Sequence, residues 1–364
     1  MAKCKYCGKP AGLFSRSHKE CKEKHEQGMQ GLAGMLKKYF QGAITATKIG
    51  QKIIQNRAPY YLSDDDIAQV ASKEIATYTV NLRRPYSTQI LTLISGLIQN
   101  IGISYKKLNE TGIMDRLSQK LMHGFLVEYF ANGTPMPLVL NNINAVNNVI
   151  PISTEKKNDV YMSVLNKAAT NFMKNGYITD NEEKLILSYS SQLGISLNSL
   201  PIHLGNTDLE KVSQALILKD LERGILPQTS SAVPVLLGKG ESVLWVYHNT
   251  TMLQEKTQRE YIGRTGGFSF RVCKGVTYRT GQFKGKPIEN TYLETVGTGS
   301  LIITNKHVYF HCNTASSKLP FTKIIGVTPY SDGIEFHKET KPYRAVFQGF
   351  DSWFIMNVLS IVNN

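Results

Sequence analysis

A chain of 364 residues with 41% hydrophobic and 19% charged side chains is too long for one ordinary core and too apolar for a disordered coil, so two or three folded domains are expected. No run of about 18 apolar residues excludes a spanning helix, and the opening Met1-Ala2-Lys3-Cys4-Lys5-Tyr6-Cys7 lacks the apolar core of a secretory leader, so a cytoplasmic site is expected. The net charge of +14 sits at the two ends: residues 1–57 carry +9, residues 58–236 carry −1 and residues 237–364 carry +6, a distribution suited to nucleic acid, anionic lipid or an acidic protein.

Residues 1–25 are too poor in apolar side chains to build a core unaided. Three of the five cysteines fall in the first 21 residues, and their spacing is Cys4-x2-Cys7-x10-His18-x2-Cys21. Clustered thiols in a leaderless chain point to metal rather than disulfides. A Cys-x-x-Cys turn supplies two soft donors, and His18 with Cys21, three residues apart, supplies two more from one helical face. Structural Zn2+ held by Cys4, Cys7, His18 and Cys21 is expected, with His25 as the alternative nitrogen donor. Four protein donors leave no open position for catalytic water. Seven cations surround the motif (Lys3, Lys5, Lys9, Arg16, Lys19, Lys22 and Lys24), a footing for phosphates through residues 1–57.

From about Glu20 to Gln55 the pattern is helical. Leu32, Met35, Leu36, Tyr39, Phe40 and Ala43 form a three- and four-residue stripe, so residues 26–57 read as a connecting amphipathic helix whose stripe packs on the middle of the chain. Gly28, Gly31 and Gly34 either weaken this helix or permit close packing. The middle, residues 58–225, reads as a helical domain. Ser63 caps a helix with Asp64, Asp65 and Asp66 in its first turn. Asp180 opens a helix that stops at Gly194, and a further helix runs from Asp208 to Arg223.

Residues 226–240 read as a linker. From residue 241 to the end short β-rich runs follow: Ser242–His248, Phe268–Cys273, Val276–Phe283, Ser300–Thr304 and His307–Cys312. An apolar helix over about Ser352 to Val362 closes the chain. Strands followed by one helix imply a curved sheet plugged by that helix. Cys273 and Cys312 read as small buried hydrophobes. Arg271, Lys274, Arg279, Lys284 and Lys286 form a candidate ligand-binding cluster for an anionic headgroup or acidic peptide; ordinary solvent-facing charge is the alternative.

No nucleophile elbow, His-Glu-x-x-His helix, Walker loop or dinucleotide glycine pattern is present. The stretch Asn175–Glu183 fails as a calcium loop because its register puts Met173 at a ligand position. An enzyme is therefore not expected.

The stretch Gly299–Phe310, then Lys318–Ile325, resembles the core strands of bacterial pleckstrin-homology-like (PH-like) and GRAM-like domains, with the helix around Trp353 matching their closing helix. Such domains bind lipid headgroups or proteins. Asp180–Leu200 and the helix to Pro227 resemble TerB-like helical domains, which are associated with bacterial stress and defence systems. The whole is similar to bacterial or phage-associated proteins with an N-terminal zinc ribbon. The resemblance implies a multidomain α+β protein: a zinc-ribbon module, an α-helical middle and a C-terminal PH-like β-barrel capped by a helix. The function it implies is a non-enzymatic adaptor that docks on a protein or a peripheral anionic membrane, in bacterial stress or phage defence. Nucleic-acid binding through the basic zinc module is the alternative.

Overall fold

The computed structural model describes residues 2–11, 16–197, 208–227, 233–262, 265–273, 276–283 and 286–362, at backbone level only over 258–290. The fold is mixed α and β. Two compact units divide the chain, Met1–Ala168 with Leu185–Gly194, and Ala169–Lys184 with Ile195–Asn364. No helix among the described residues is long and apolar enough to cross a membrane.

The first unit is helical. Helix α1 (Lys19–Phe40) buries Leu32, Leu36 and Tyr39, spaced four and three apart, and packs on α3 (Asp64–Asn81). Each such side chain contributes about 1.5–3 kcal/mol on burial. The single helix expected over 26–57 is in fact two. The chain turns at Gly42, whose φ of +75° suits glycine, and Thr45 caps α2 (Ala46–Arg57) by accepting from Lys48 N–H. Gly28 lets α1 approach the turn before α3, since a Cβ there would sit 2.5 Å from Tyr60 Cβ. Ser63 and Asp66 form a reciprocal capping box on α3. Helices α4 (Gln89–Asn100), α5 (Tyr105–Leu108), α6 (Ile113–Asn132) and α7 (Met136–Val149) complete the packing around α2 and α3.

Helices α8 (Thr154–Phe172) and α9 (Asp180–Leu193) run across the division between the units. The cap of α9 is Thr179 rather than Asp180: its hydroxyl accepts from Glu182 N–H while Glu182 accepts from Thr179 N–H at 2.8 Å. Asp180 and Glu183 are thereby left to pair with Lys219, and Glu183 also binds Arg223, in α10 (Asp208–Glu222).

The second unit carries a curled seven-stranded antiparallel half-barrel, order β6-β5-β4-β1-β9-β8-β7. Its strands are β1 (Val243–Ile262), β4 (Lys286–Thr304), β5 (His307–His311), β6 (Ser316–Pro320), β7 (Ile324–Tyr330), β8 (Gly333–Lys338) and β9 (Arg344–Gln348); β2 (Thr265–Cys273) and β3 (Val276–Phe283) form a separate ribbon. The expected strands Ser242–His248 and Ser300–Thr304 belong to strands of 20 and 19 residues. Leu301 and Ile303 face a core shared with Phe310, Phe336 and Phe347, which α11 (Trp353–Val362) fills with Phe354, Ile355, Val358 and Leu359. Ile302 points the other way, into a small cluster with Val243, Val246 and Tyr309, covered by Val233 and Val235. Cover on both faces explains the unbroken apolar run Leu301-Ile302-Ile303, which a half-exposed strand would alternate with polar residues. Leu218 of α10 also enters the main core, and Cys312 is buried as expected.

Candidate metal centre

The first residues form a tight hairpin. Lys3 and Pro10 face each other as an antiparallel bridge, Cys4 N–H donates to Lys9 O at 2.7 Å, and Gly8 N–H closes the turn onto Cys4 O at 2.9 Å. Gly8 has φ +71°, a conformation costly for other residues. Lys5 N–H donates to Arg16 O, which brings the start of α1 back against the hairpin. His18 precedes α1 and Cys21 lies in its first turn.

These two elements bring Cys4, Cys7, His18 and Cys21 together, with all four donor atoms within 4.8 Å of one another. The three thiols are free. His18 Nδ1 lies 3.3 Å from Cys7 Sγ and 3.8 Å from Cys21 Sγ. Its other nitrogen, Nε2, donates to Pro10 O at 2.9 Å. That bond fixes the tautomer, so the lone pair of Nδ1 faces the sulfurs, as a metal-binding imidazole requires.

The electrostatics favour a thiolate at Cys4. Burial raises the Cys4 pKa, but backbone N–H groups of Cys7, His18 and Tyr6 outweigh it and bring the thiol down to about 6. Burial pushes Cys21 up. The Pro10 carbonyl, followed by Cys7, raises His18. Around a tetrahedral ion with bonds of about 2.3 Å, sulfurs stand roughly 3.8 Å apart, a spacing this cluster reaches with small adjustments. The four side chains can therefore hold a metal ion and fill a tetrahedral shell.

His25, the alternative donor, stands outside the cluster. Its Nε2 lies 3.1 Å from Asp66 Oδ2 and its ring packs on Tyr6, with centroids 4.7 Å apart. Tyr6 also approaches Tyr61, whose hydroxyl is 3.9 Å from Cys21 Sγ. Tyr61 adopts φ +53°, uncommon for a tyrosine. The start of α1 is thus clamped to the start of α3 at two points, Cys21–Tyr61 and His25–Asp66, and Tyr6 of the hairpin packs against His25 and Tyr61. Sequence reasoning missed Tyr61 altogether and read Asp66 only as one of three acids in the first turn of a helix capped by Ser63. Lys3, Lys5, Lys9, Arg16, Lys19, Lys22 and Lys24 are all exposed.

Of the candidate basic cluster, Lys274 and Lys284 lie outside the described residues. Arg271 in β2 pairs with Thr277, Arg279 in β3 with Ser269, and Lys286 in β4 with Ile262; their side chains also lie outside the described residues.

A second polar centre carried no sequence signal. Glu241, just before β1, is buried and accepts from Gly238 N–H, Thr304 hydroxyl, His307 Nδ1 and Tyr309 hydroxyl at 2.7–3.0 Å. Burial alone raises its pKa, but these donors outweigh it and hold the carboxyl at about 2. It ties the entry of β1 to the β4–β5 turn.

Comparison of the chain with protein-family models, with curated proteins and with solved structures finds no match to any of them.

Proposed function

We propose that Cys4, Cys7, His18 and Cys21 hold one structural Zn2+, and that the chain is a non-enzymatic, zinc-containing adaptor. In this reading the half-barrel, taken as PH-like, is the surface that docks on a protein partner. The observation that carries the reading is the His18–Pro10 hydrogen bond, which turns Nδ1 toward three thiols and completes a four-donor set. A filled shell leaves no site for a reacting water, so the metal organises the fold instead of performing chemistry. Two thiolates or more with one imidazole favour zinc among common cellular ions. When bound, the ion crosslinks hairpin and helix; Gly8 and the backbone N–H groups around Cys4 shape the turn, and Tyr61 donates to the Cys21 thiolate.

The test is in-cell crosslinking of the tagged full chain followed by mass spectrometry. The adaptor reading expects a recurring protein partner attached through half-barrel lysines such as Lys306 or Lys318. Crosslinks confined to nucleic acid would contradict it.

The exposed cations around the metal cluster favour a second reading, phosphate-backbone binding by residues 1–57. That reading expects affinity for a 20-nucleotide DNA or RNA that falls steeply with salt and drops further in a Lys5→Glu, Lys9→Glu double variant. Sedimentation with phosphatidylserine vesicles tests the peripheral-membrane version of the first reading.

A further inference from the structure

Strand β1 outruns one of its neighbours. Its ladder with β4 continues to Ile262↔Lys286, whereas its ladder with β9 stops at Gln254↔Ala345. Past Gln254, the edge of β1 that faced β9 has no strand against it among the described residues. Alternate residues of an unpaired edge present free N–H and C=O groups, a ready template for another strand.

Beside that edge lies a cleft of about 600 Å³. Gln254, Glu255, Lys256 and Thr257 form one wall, and Lys341, Pro342 and Tyr343, from the turn between β8 and β9, form the other. The volume is within the range of binding clefts. Tyr343 is 45% exposed and offers an aromatic face at the rim.

The cleft also contains an unmet acceptor. Glu255 Oε2 is buried without a hydrogen-bond partner, an arrangement folded proteins avoid because the desolvated oxygen gains nothing in return. The cations nearby make their hydrogen bonds and closest contacts elsewhere, although the charge of Arg344 also acts on Glu255. Arg344 binds Glu335 through two nitrogens, Nη2 to Oε2 at 3.0 Å. Lys256 pairs with Glu294 at 2.8 Å, and Lys341 lies over the Tyr343 ring at 5.9 Å.

A free strand edge asks for backbone pairing, and a buried anionic acceptor asks for a donor with positive charge. A small anion satisfies neither, and a small cation satisfies only the second. We propose that this cleft docks an extended peptide segment of a protein partner, paired as an added strand along β1 at residues 255–257, with a Lys or Arg side chain donating to Glu255. The proposal rests on the reading of the half-barrel as the docking module and names what that module takes.

The probe is a random 12-residue peptide library displayed on phage, panned against the immobilised, metal-loaded full chain. Enriched peptides are then synthesised and titrated against wild type and Glu255→Gln, with amide hydrogen exchange mapping the bound site. The Gln variant keeps the shape of the side chain, and circular dichroism verifies its fold. The expected result is enriched peptides that carry Lys or Arg within a β-branched run, protect the amides of 255–257, and bind Glu255→Gln about ten-fold more weakly. Any of four results overturns the proposal: no enrichment, enriched peptides without a basic residue, protection elsewhere, or equal affinity for the variant. Protection of 255–257 in a dimer without peptide also overturns it, by assigning the edge to a second copy. A folded, metal-loaded chain that selects no peptide removes this proposal alone; a chain that binds no metal removes the zinc reading instead.

Discussion

The Nε2 of His18 donates to the carbonyl oxygen of Pro10 at 2.9 Å, and this bond decides which face of the imidazole meets the three thiols. Pro10 is itself held by its bridge to Lys3. The hairpin therefore holds the histidine in the orientation that a metal-binding imidazole needs.

His18→Ala removes one donor of four. We expect zinc affinity to fall by about 10–100-fold or more, the loss typical of weakening even the partners of a ligand. Competition with a chromophoric chelator measures this. His25→Ala, outside the cluster, should keep full zinc affinity and stoichiometry; a loss in His25→Ala with none in His18→Ala would reverse their assignment.

Cys7→Ser should release the metal and unfold residues 1–25, because zinc supplies an apparent ~10–16 kcal/mol to modules with little core. The two clamps, Cys21–Tyr61 and His25–Asp66, predict that exchange protection also falls in the first turn of α1 and the first turn of α3. The half-barrel should be unaffected. Hydrogen exchange resolves the three regions, and unchanged protection at residues 58–70 would show that the clamps do not couple.

The glycines of α1 separate two roles that their even spacing conceals. A Cβ at Gly28 would meet Tyr60 Cβ at 2.5 Å and Leu62 Cδ2 at 3.3 Å, while Gly31 and Gly34 have nothing within 4 Å. Gly28→Ala should destabilise the helical unit by about 1–3 kcal/mol through overpacking. Gly31→Ala and Gly34→Ala should each stabilise it by roughly 0.5–1 kcal/mol through helix propensity. Thermal and urea melts of the three variants check the opposite signs.

Acid stability should depend on Glu241 and Glu183. Both carboxyls are depressed from the ordinary 4.5 to about 2, Glu241 by its donors against burial and Glu183 first by Arg223. A depressed carboxyl stabilises the fold fully above its unfolded value and loses that contribution as pH falls. Stability should therefore decline between about pH 4.5 and 2. Glu241→Gln should flatten that decline, and Glu241→Ala should cost about 3 kcal/mol at neutral pH by leaving buried donors unmet. Denaturant midpoints across pH supply both numbers.

What was legible in the sequence was local. The Cys4–Cys7 knuckle, the Ser63 cap, the helix at 208–222 and the closing helix around Trp353 each depend on residues a few positions apart, where spacing carries the signal. The long halves of β1 and β4 were not legible. Gln254-Glu255-Lys256-Thr257-Gln258-Arg259 is polar throughout, so it shows none of the two-residue alternation that marks a half-buried strand. The break at Gly42 was masked by an apolar stripe that continues past it. Glu241 gives no sign of His307 and Tyr309, some 66 and 68 residues away, because only sheet pairing brings them together. Tyr61 meets Cys21 across 40 residues because α1 packs on α3, a tertiary contact that spacing in the sequence does not show.

Zinc K-edge X-ray absorption on the purified full chain, with metal content measured on the same sample, reads the shell formed by Cys4, Cys7, His18 and Cys21. One zinc per chain is expected, with three sulfurs at about 2.3 Å and one imidazole nitrogen at about 2.0–2.1 Å. A chain without zinc, or a zinc shell containing water in place of one of these four side chains, would contradict the structural-zinc proposal.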